Sequence, residues 1–201
     1  PAGLVPIRRV WVSWAWIALD GKFLMVRRED PAAHRDGNRG QFVFPGGRVS
    51  NEDLPELVYL TASQRLDFFD PSTEVDSSHI SYAFSQALRR ELQEELEIPG
   101  SAFGSLIPVG EPIQYIALEG AKSAYSATEY HIQPFKVALK DAGKAALLRC
   151  LSAHPERFAW FTAEELTAGV NAAGVKAFVD AIRQGGPALD PDAFSIDVGN
   201  A

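Results

Sequence analysis

The chain is poor in sulfur: among its 201 residues there is one cysteine, Cys150, and one methionine. A single thiol closes no internal disulfide and supplies no zinc-type spacing, so a reducing, cytoplasmic setting is expected. Cys150 itself reads as a small, half-buried hydrophobe. A basic block is also missing. The 19 Lys and Arg are scattered and outweighed by 26 Asp and Glu, giving a net charge of -7, which argues against a nucleic-acid polymer as partner. An acidic chain still binds phosphates when a bound cation supplies the positive charge. No long apolar run is present either. Arg8 and Arg9 precede "VWVSWAWIAL", but about ten apolar residues are too few to cross a bilayer, and no small-residue cleavage site follows. No membrane partner is expected, and no internal repeat or low-complexity tract appears.

What is present suffices for a core: 46% hydrophobic and 10% aromatic residues, in a length that suits one domain spanning 1–201. "VWVSWAWIAL" and "KFLMVRR" flank Asp20-Gly21, a hairpin signal. The first run is apolar on both faces, so it should lie centrally in a covered sheet, with Trp11, Trp14 and Trp16 mainly in the core and one of them available to line a base-stacking pocket. Residues 29–40 read as a loop, and "QFVF" as a short strand ending in a turn at Pro45-Gly46-Gly47. "LPELVYLTASQRLDFF" has helical character. "DPSTEVDSS" offers several N-caps for a helix over about 79–97, stopped by Pro99-Gly100. "IPVGEPIQYIALE" and "EYHIQPFKVAL" read as strands, with Pro134 pointing to an edge or a bulge. "KDAGKAALLRCLSA" reads as a short helix or ordered loop, "RFAWF" as a strand, Thr162 with Glu165 as a capping box, and "NAAGVKAFVDAIRQ" as a last helix before Gly185-Gly186. The tail, 187–201, has no periodicity. The mixture implies an α/β fold: a mixed central sheet with helices on its faces.

The acidic helix invites chemistry. At 100° per residue, Phe84, Leu88, Leu92 and Leu96 form an apolar stripe with Ala87 beside it. Glu91, Glu94 and Glu95 cluster along its border, while Arg89, Gln93 and Glu97 point away. Two carboxylates about 4 Å apart repel by roughly 4 kcal/mol at an effective dielectric of 20. Arg90 offsets part of this, and a divalent cation with a taste for hard oxygen, Mg²⁺ or Mn²⁺, would offset more. The bland alternative is a solvated helix whose acids pair with bases elsewhere. "FPGGRV" adds a turn whose glycines permit a close approach to a phosphate or a neighbouring helix.

Together "PGG" and Arg90-Glu91-Leu92-Gln93-Glu94-Glu95-Leu96-Glu97-Ile98 resemble the Nudix hydrolase signature, a Gly, five residues, an acid, seven residues, then Arg-Glu-apolar-x-Glu-Glu-x-Gly-apolar. Gly47 stands six positions before Asp53; counted from Gly46, the acid is Glu52. Two departures stand out. Glu97 replaces a Gly, and 36 residues rather than seven separate Asp53 from Arg90. The resemblance spans about 10–184 and implies an α/β/α sandwich with a helical insertion, about 54–80, inside the motif. It implies a metal-dependent pyrophosphohydrolase acting on a small nucleoside diphosphate derivative: ADP-ribose, a dinucleotide, coenzyme A or a nucleoside triphosphate. The coenzyme A branch places a His two residues before its Gly-Gln pair, where His34 does not stand. Glu91, Glu94 and Glu95 would hold Mg²⁺ or Mn²⁺, Arg90 would orient the carboxylates, and Gly46, Gly47 and Asp53 would shape the loop. Glu119 and Glu129 are candidates for a later acid or plain surface carboxylates. His34, His79, His131 and His154 read as structural. Tyr59, Phe68 and Phe69 would form a lid, a homodimer contact or a small core of the insertion. The alternative from another class is an inactive Nudix-like nucleotide sensor, which would be expected to have lost one of the three glutamates.

Overall fold

The computed structural model describes residues 7–28, 42–54, 68–72, 74–119, 123–169 and 173–196. The loop expected at 29–40, His34, Tyr59 and most of the helical reading of residues 54–69 lie outside these ranges.

The organising element is β1 (Ile7–Trp16). Its alternate side chains enter different cores, as period-two geometry demands. Trp11 and Ala15 face one cluster, and Val10, Val12, Trp14 and Trp16 face the other. β1 lies between two neighbours, so its central, covered position is as expected. The hairpin at Asp20-Gly21 is real but short. β2 (Ala18–Leu19) and β3 (Lys22–Arg27) pair across it, with φ of 52° and 71° at the two turn residues, the positive angles that two-residue hairpins need. The long first run nevertheless does not pair with "KFLMVRR". The chain changes sheets at Ile17, whose carbonyl still accepts the Leu24 N–H at 2.8 Å.

In the first sheet β1 runs antiparallel to β5 (Gly46–Arg48) and parallel to β8 (Ala127–Leu139). β6 (Phe103–Pro108) and β7 (Ile113–Leu118) follow one another antiparallel along the other side of β8. The second sheet joins β2, β3, β4 (Phe42–Val43) and β9 (Phe158–Phe161). Pro134 is therefore in an interior strand, not at an edge. Its carbonyl accepts Val109 N–H at 2.9 Å. In an extended residue the N–H position points the same way, so the missing donor faces the interruption between β6 and β7, where no ladder bond is lost.

Helix α1 (Ser77–Leu96) covers one face. Asp76 caps it through the Ser78 N–H, and Ala83, Phe84, Ala87, Leu88, Leu92 and Leu96 are buried, so the expected stripe is the contact face. α1 begins at Ser77, so residues 77–80 belong to the helix and not to the insertion. α2 (Asp141–Ala153) is the helix that "KDAGKAALLRCLSA" left open. The short α3 (Ala163–Ala168) carries the expected Thr162/Glu165 capping box. α4 (Ala173–Ile182) covers the opposite face through Val175, Phe178, Val179 and Ile182, completing an α/β/α sandwich. The tail is less idle than its sequence suggests. Phe194 meets Trp16 edge-on at 4.9 Å, and Ile196 N–H donates to Ala18 O at 2.9 Å.

Of the insertion, the described part is tied to the domain core. Phe68 is fully buried, its ring 5.3 Å from Trp11, whose Nε1–H donates to Phe68 O at 2.9 Å. Arg9 donates to the carbonyls of Asp70 (3.1 Å) and Pro71 (2.8 Å). Phe68 thus belongs to the main core, with Phe69 packed against it, rather than to a lid or a separate small core.

Candidate active site

The site begins where β5 slides under α1. "PGG" is more than a turn: Pro45 bends the chain and both glycines enter β5, Gly46 opposite Trp14 and Gly47 opposite Ser13. Gly46 has φ +123°, and a Cβ there would lie 2.2 Å from Ser13 O; a Cβ on Gly47 would lie 2.4 Å from the Glu91 carboxyl. The absent side chains let the strand meet both helix and sheet. Through the gap the Gly46 N–H donates to Glu95 Oε2 at 2.7 Å.

Asp53, 37 positions from Arg90 in sequence, is brought to the helix. It is 3% exposed and accepts from the Ser50 N–H (2.8 Å) and hydroxyl (3.0 Å). It takes both arms of Arg90: Nε to Oδ1 at 3.0 Å and Nη2 to Oδ2 at 2.9 Å. Such bidentate pairs fix orientation as well as charge. Arg90 also donates to Glu91 Oε1 at 2.8 Å and Arg48 O at 3.1 Å, with Glu52, the alternative acid of the motif, 3.5 Å from its Nε. Its own pKa is driven up, chiefly by the Asp53 hydrogen bonds. Arg90 thus clamps the loop onto α1 and bonds Glu91, and Asp53 is the anchor of that clamp.

The three glutamates are not equivalent. Glu91 is part-buried, and burial raises its pKa against the opposing pull of Arg90. Glu95 keeps some exposed surface, but its carboxyl is enclosed, and desolvation pushes it up to about 8 despite the Gly46 N–H. Glu94 is 60% exposed, 3.6 Å from Arg90 Nη1. Among the described residues no three His, Cys, Asp or Glu side chains converge as a ready-made cation site. The pair Glu91 and Glu95 still suits a hard divalent cation. Glu95 sits desolvated beside a second acid, with Arg90 turned to Asp53 and Glu91, and the charge of Arg157 does not offset the burial, so a cation would favour its ionised form. Ser13 Oγ, buried on β1 opposite Gly47, has no hydrogen-bond partner.

Glu97 takes the left-handed position after the helix, φ 55°. The sequence reading placed it harmlessly outward. It is exposed, yet its backbone carries the strain that a Gly there would avoid.

The site opens into a cleft of about 410 Å³ with two kinds of wall. Val12, Trp14, Val26, Val43 and Ile132 supply apolar surface, and Tyr115 stacks on Tyr130 with ring centroids 5.1 Å apart and planes 19° from parallel. Burial beside Tyr130 pushes the Tyr115 hydroxyl up to about 12. Gly46, Gly47, Glu95, Arg27, Arg28, Arg48 and Arg157 form the polar side. The aromatic pair and the four arginines escaped the sequence reading. They come from β3, β5, β7, β8 and the turn before β9, and only the pair ending "KFLMVRR" was visible as a cluster. Of the tryptophans, Trp14 reaches the cleft wall while remaining a core residue.

None of the other candidates lines the cleft, although the charge of its Arg48 acts on Glu119. Glu129 binds His131 Nε2 (2.6 Å) and approaches Arg9 (3.8 Å). Both partners rest on Trp11, on the sheet face away from the cleft. Glu119 pairs with Arg8 at 3.0 Å and with the Thr128 hydroxyl. His154 is 3.7 Å from Glu97. Cys150 is fully buried rather than half-buried.

No protein-family model matches the chain, and no curated protein matches it. Solved structures do. A Nudix hydrolase from Nitrosomonas europaea is 17% identical, covering 96% of this chain and 99% of that one, with a TM-score of 0.42. The MutT protein from Methanosarcina mazei Go1 is 14% identical over 88% and 94% of the two chains, TM-score 0.40. The C. elegans Ap4A hydrolase is 14% identical over 89% and 97%, TM-score 0.39. Likeness this distant says nothing of this chain's chemistry, which rests on its own side chains.

Proposed function

We propose that this chain is a Nudix-type hydrolase, a divalent-metal-dependent enzyme that cleaves the phosphoric anhydride of a small nucleoside diphosphate derivative. One observation carries the reading. The Gly46-Gly47 strand, the Asp53–Arg90 clamp and the Glu91/Glu95 pair, separated by up to 49 positions, close on one another, and Gly46, Gly47 and Glu95 among them line a cleft with an aromatic and a cationic wall. That is more organisation than a solvated acidic helix requires.

When bound, Mg²⁺ or Mn²⁺ would neutralise the diphosphate and lower the pKa of water. The chain's own residues do the rest. Glu91, beside Gly47, and Glu95, held by the Gly46 N–H, would hold the cation, with the exposed Glu94 as a further candidate. Arg90 keeps Glu91 in place. Gly46 N–H fixes one oxygen of Glu95, leaving the other for a ligand. Water adds to one phosphorus, the bridging P–O bond breaks, and the second phosphate leaves with the bonding pair. A carboxylate of the site takes the water's proton. Few protein ligands suffice, because Mg²⁺ usually retains waters and shares phosphate oxygens of the substrate.

The test is purified protein with Mg²⁺ or Mn²⁺, a panel of nucleoside diphosphate derivatives, and detection of phosphate products. Turnover lost in chelator and cut at least a hundredfold by Glu91→Gln is expected. An inert panel, together with unaltered cation affinity in Glu91→Gln, would refute the reading and favour a non-catalytic fold.

A further inference from the structure

We infer that Ser13 is a positioning residue for the cation site: its hydroxyl donates to the Glu91 carboxylate in the cation-loaded protein, holding that ligand from the sheet as Arg90 holds it from α1. This rests on the reading of Glu91 and Glu95 as cation ligands. Ser13 is fully buried, and its Oγ has no hydrogen-bond partner among the described residues. Buried hydroxyls are nearly always bonded, because leaving water without a replacement partner costs stability. Its neighbours along β1 on the same face, Trp11 and Ala15, belong to the apolar core under α1, where an alanine would pack at no such cost. A hydroxyl kept there without a partner points to a second state in which it has one.

The acceptor stands across the strand pair. Ser13 lies opposite Gly47 in the antiparallel β1–β5 ladder. Side chains of directly opposed residues project from the same face, with β carbons about 4.5–5.5 Å apart. Gly47 has no side chain, and the place of its missing Cβ is taken by Glu91: the carboxyl carbon and Oε1 lie 2.4 Å from that position and Oε2 lies 2.8 Å from it. The helix thus supplies the cross-strand neighbour that the glycine does not. On the other flank of β1 Ser13 lies opposite Gln133, whose Nε2 donates to Gly110 O at 3.2 Å and to Pro134 O at 3.0 Å. Arg90 Nη1 anchors Glu91 Oε1 at 2.8 Å. One bond fixes the place of one oxygen and leaves the carboxylate plane free to turn, and a second from Ser13 would fix the plane. A carboxylate that serves a cation is ionised, and ionised acceptors take the stronger hydrogen bonds, so the hydroxyl favours the loaded form.

The test is Mn²⁺ affinity, from electron paramagnetic resonance of the free ion, alongside the melting temperature of the metal-free protein, for wild type, Ser13→Ala, Glu91→Gln and the double variant. Ser13→Ala is expected to weaken Mn²⁺ binding about threefold or more, while the metal-free melting temperature holds or rises, because the hydroxyl removed has no partner in that form. In the Glu91→Gln background the same substitution should change the affinity much less, since the two residues act as one unit. An unchanged affinity in Ser13→Ala overturns the inference and leaves the cation reading intact. A loss of equal size in the Glu91→Gln background overturns it too, because Ser13 would then act through something other than Glu91. A metal-free melting temperature that falls along with the affinity marks a packing role and likewise overturns it. No Mn²⁺ binding by the wild type removes the cation reading and the inference with it.

Discussion

Gly47 and Glu91 occupy space that only one of them can fill. A methyl group on Gly47 would sit 2.4 Å from the Glu91 carboxyl, so Gly47→Ala should leave the fold intact and displace the carboxylate, weakening cation affinity at least tenfold by calorimetry. Gly46→Ala should behave differently. Its methyl meets the Ser13 carbonyl at 2.2 Å and its φ is +123°, so backbone must move and a stability loss of about 3 kcal/mol is expected in denaturant titrations. Asp53→Asn would strip the charge from a buried bidentate pair and should cost about 2–3 kcal/mol, with activity falling as Arg90 releases Glu91. Glu97→Gly should stabilise by about 0.5–1 kcal/mol, because the left-handed position after α1 costs a residue with a Cβ that much; a lower melting temperature would contradict it. At this scale the sequence was most readable for α1. Its spacing placed the apolar stripe, and Glu91 and Glu95 at the stripe's border, correctly, because helical periodicity is local, but it set Glu94 with them although that side chain is exposed. It could not show that Glu94 turns outward or that Glu97 is strained, since Arg90 and the end of α1 decide those.

Strands and the insertion were harder to read, and for a physical reason: their partners are remote. β1 and β8 pair in parallel with Ile7 opposite Ala127, a contact across most of the chain that no local pattern encodes. The break at Ile17 split one apolar run between two sheets, so a correct hairpin signal belonged to its last two residues alone. Pro134 lowered the standing of an interior strand because the gap opposite it was not visible. The insertion's exit is anchored by Phe68, which is buried against Trp11. Phe68→Ala should therefore cost about 3–5 kcal/mol in unfolding experiments. Deleting residues 54–75 would remove the buried Leu54 and Phe68 together and should unfold the domain.

At the scale of the molecule, two layers of helix enclose a sheet whose ends bring together a protonation-prone acid pair and an arginine-lined cleft. Burial holds the folded pKa of Glu95 near 8, against an ordinary 4.5. A raised carboxyl pKa contributes stability below the unfolded value that is lost as pH rises through the folded one. The metal-free protein should thus lose stability between about pH 5 and pH 8, and Glu95→Gln should flatten that slope. His131 has the opposite linkage. Burial depresses its pKa below 6.5, so its contribution is present above pH 6.5 and lost as acid protonates it. The arginine cleft exists only at this scale, since its members are dispersed in sequence and converge by topology.

Cation binding at Glu91 and Glu95 is the step on which the whole reading depends, and titration of Mn²⁺ followed by electron paramagnetic resonance of the free ion measures it directly. The wild-type protein is expected to bind Mn²⁺, with affinity rising roughly tenfold per pH unit between pH 6 and pH 8 as a proton leaves Glu95. Glu95→Gln and Glu91→Gln should each weaken binding at least tenfold, and the first should abolish the pH dependence. Binding that is unchanged in both variants, or no binding by the wild type at millimolar Mn²⁺, would contradict it.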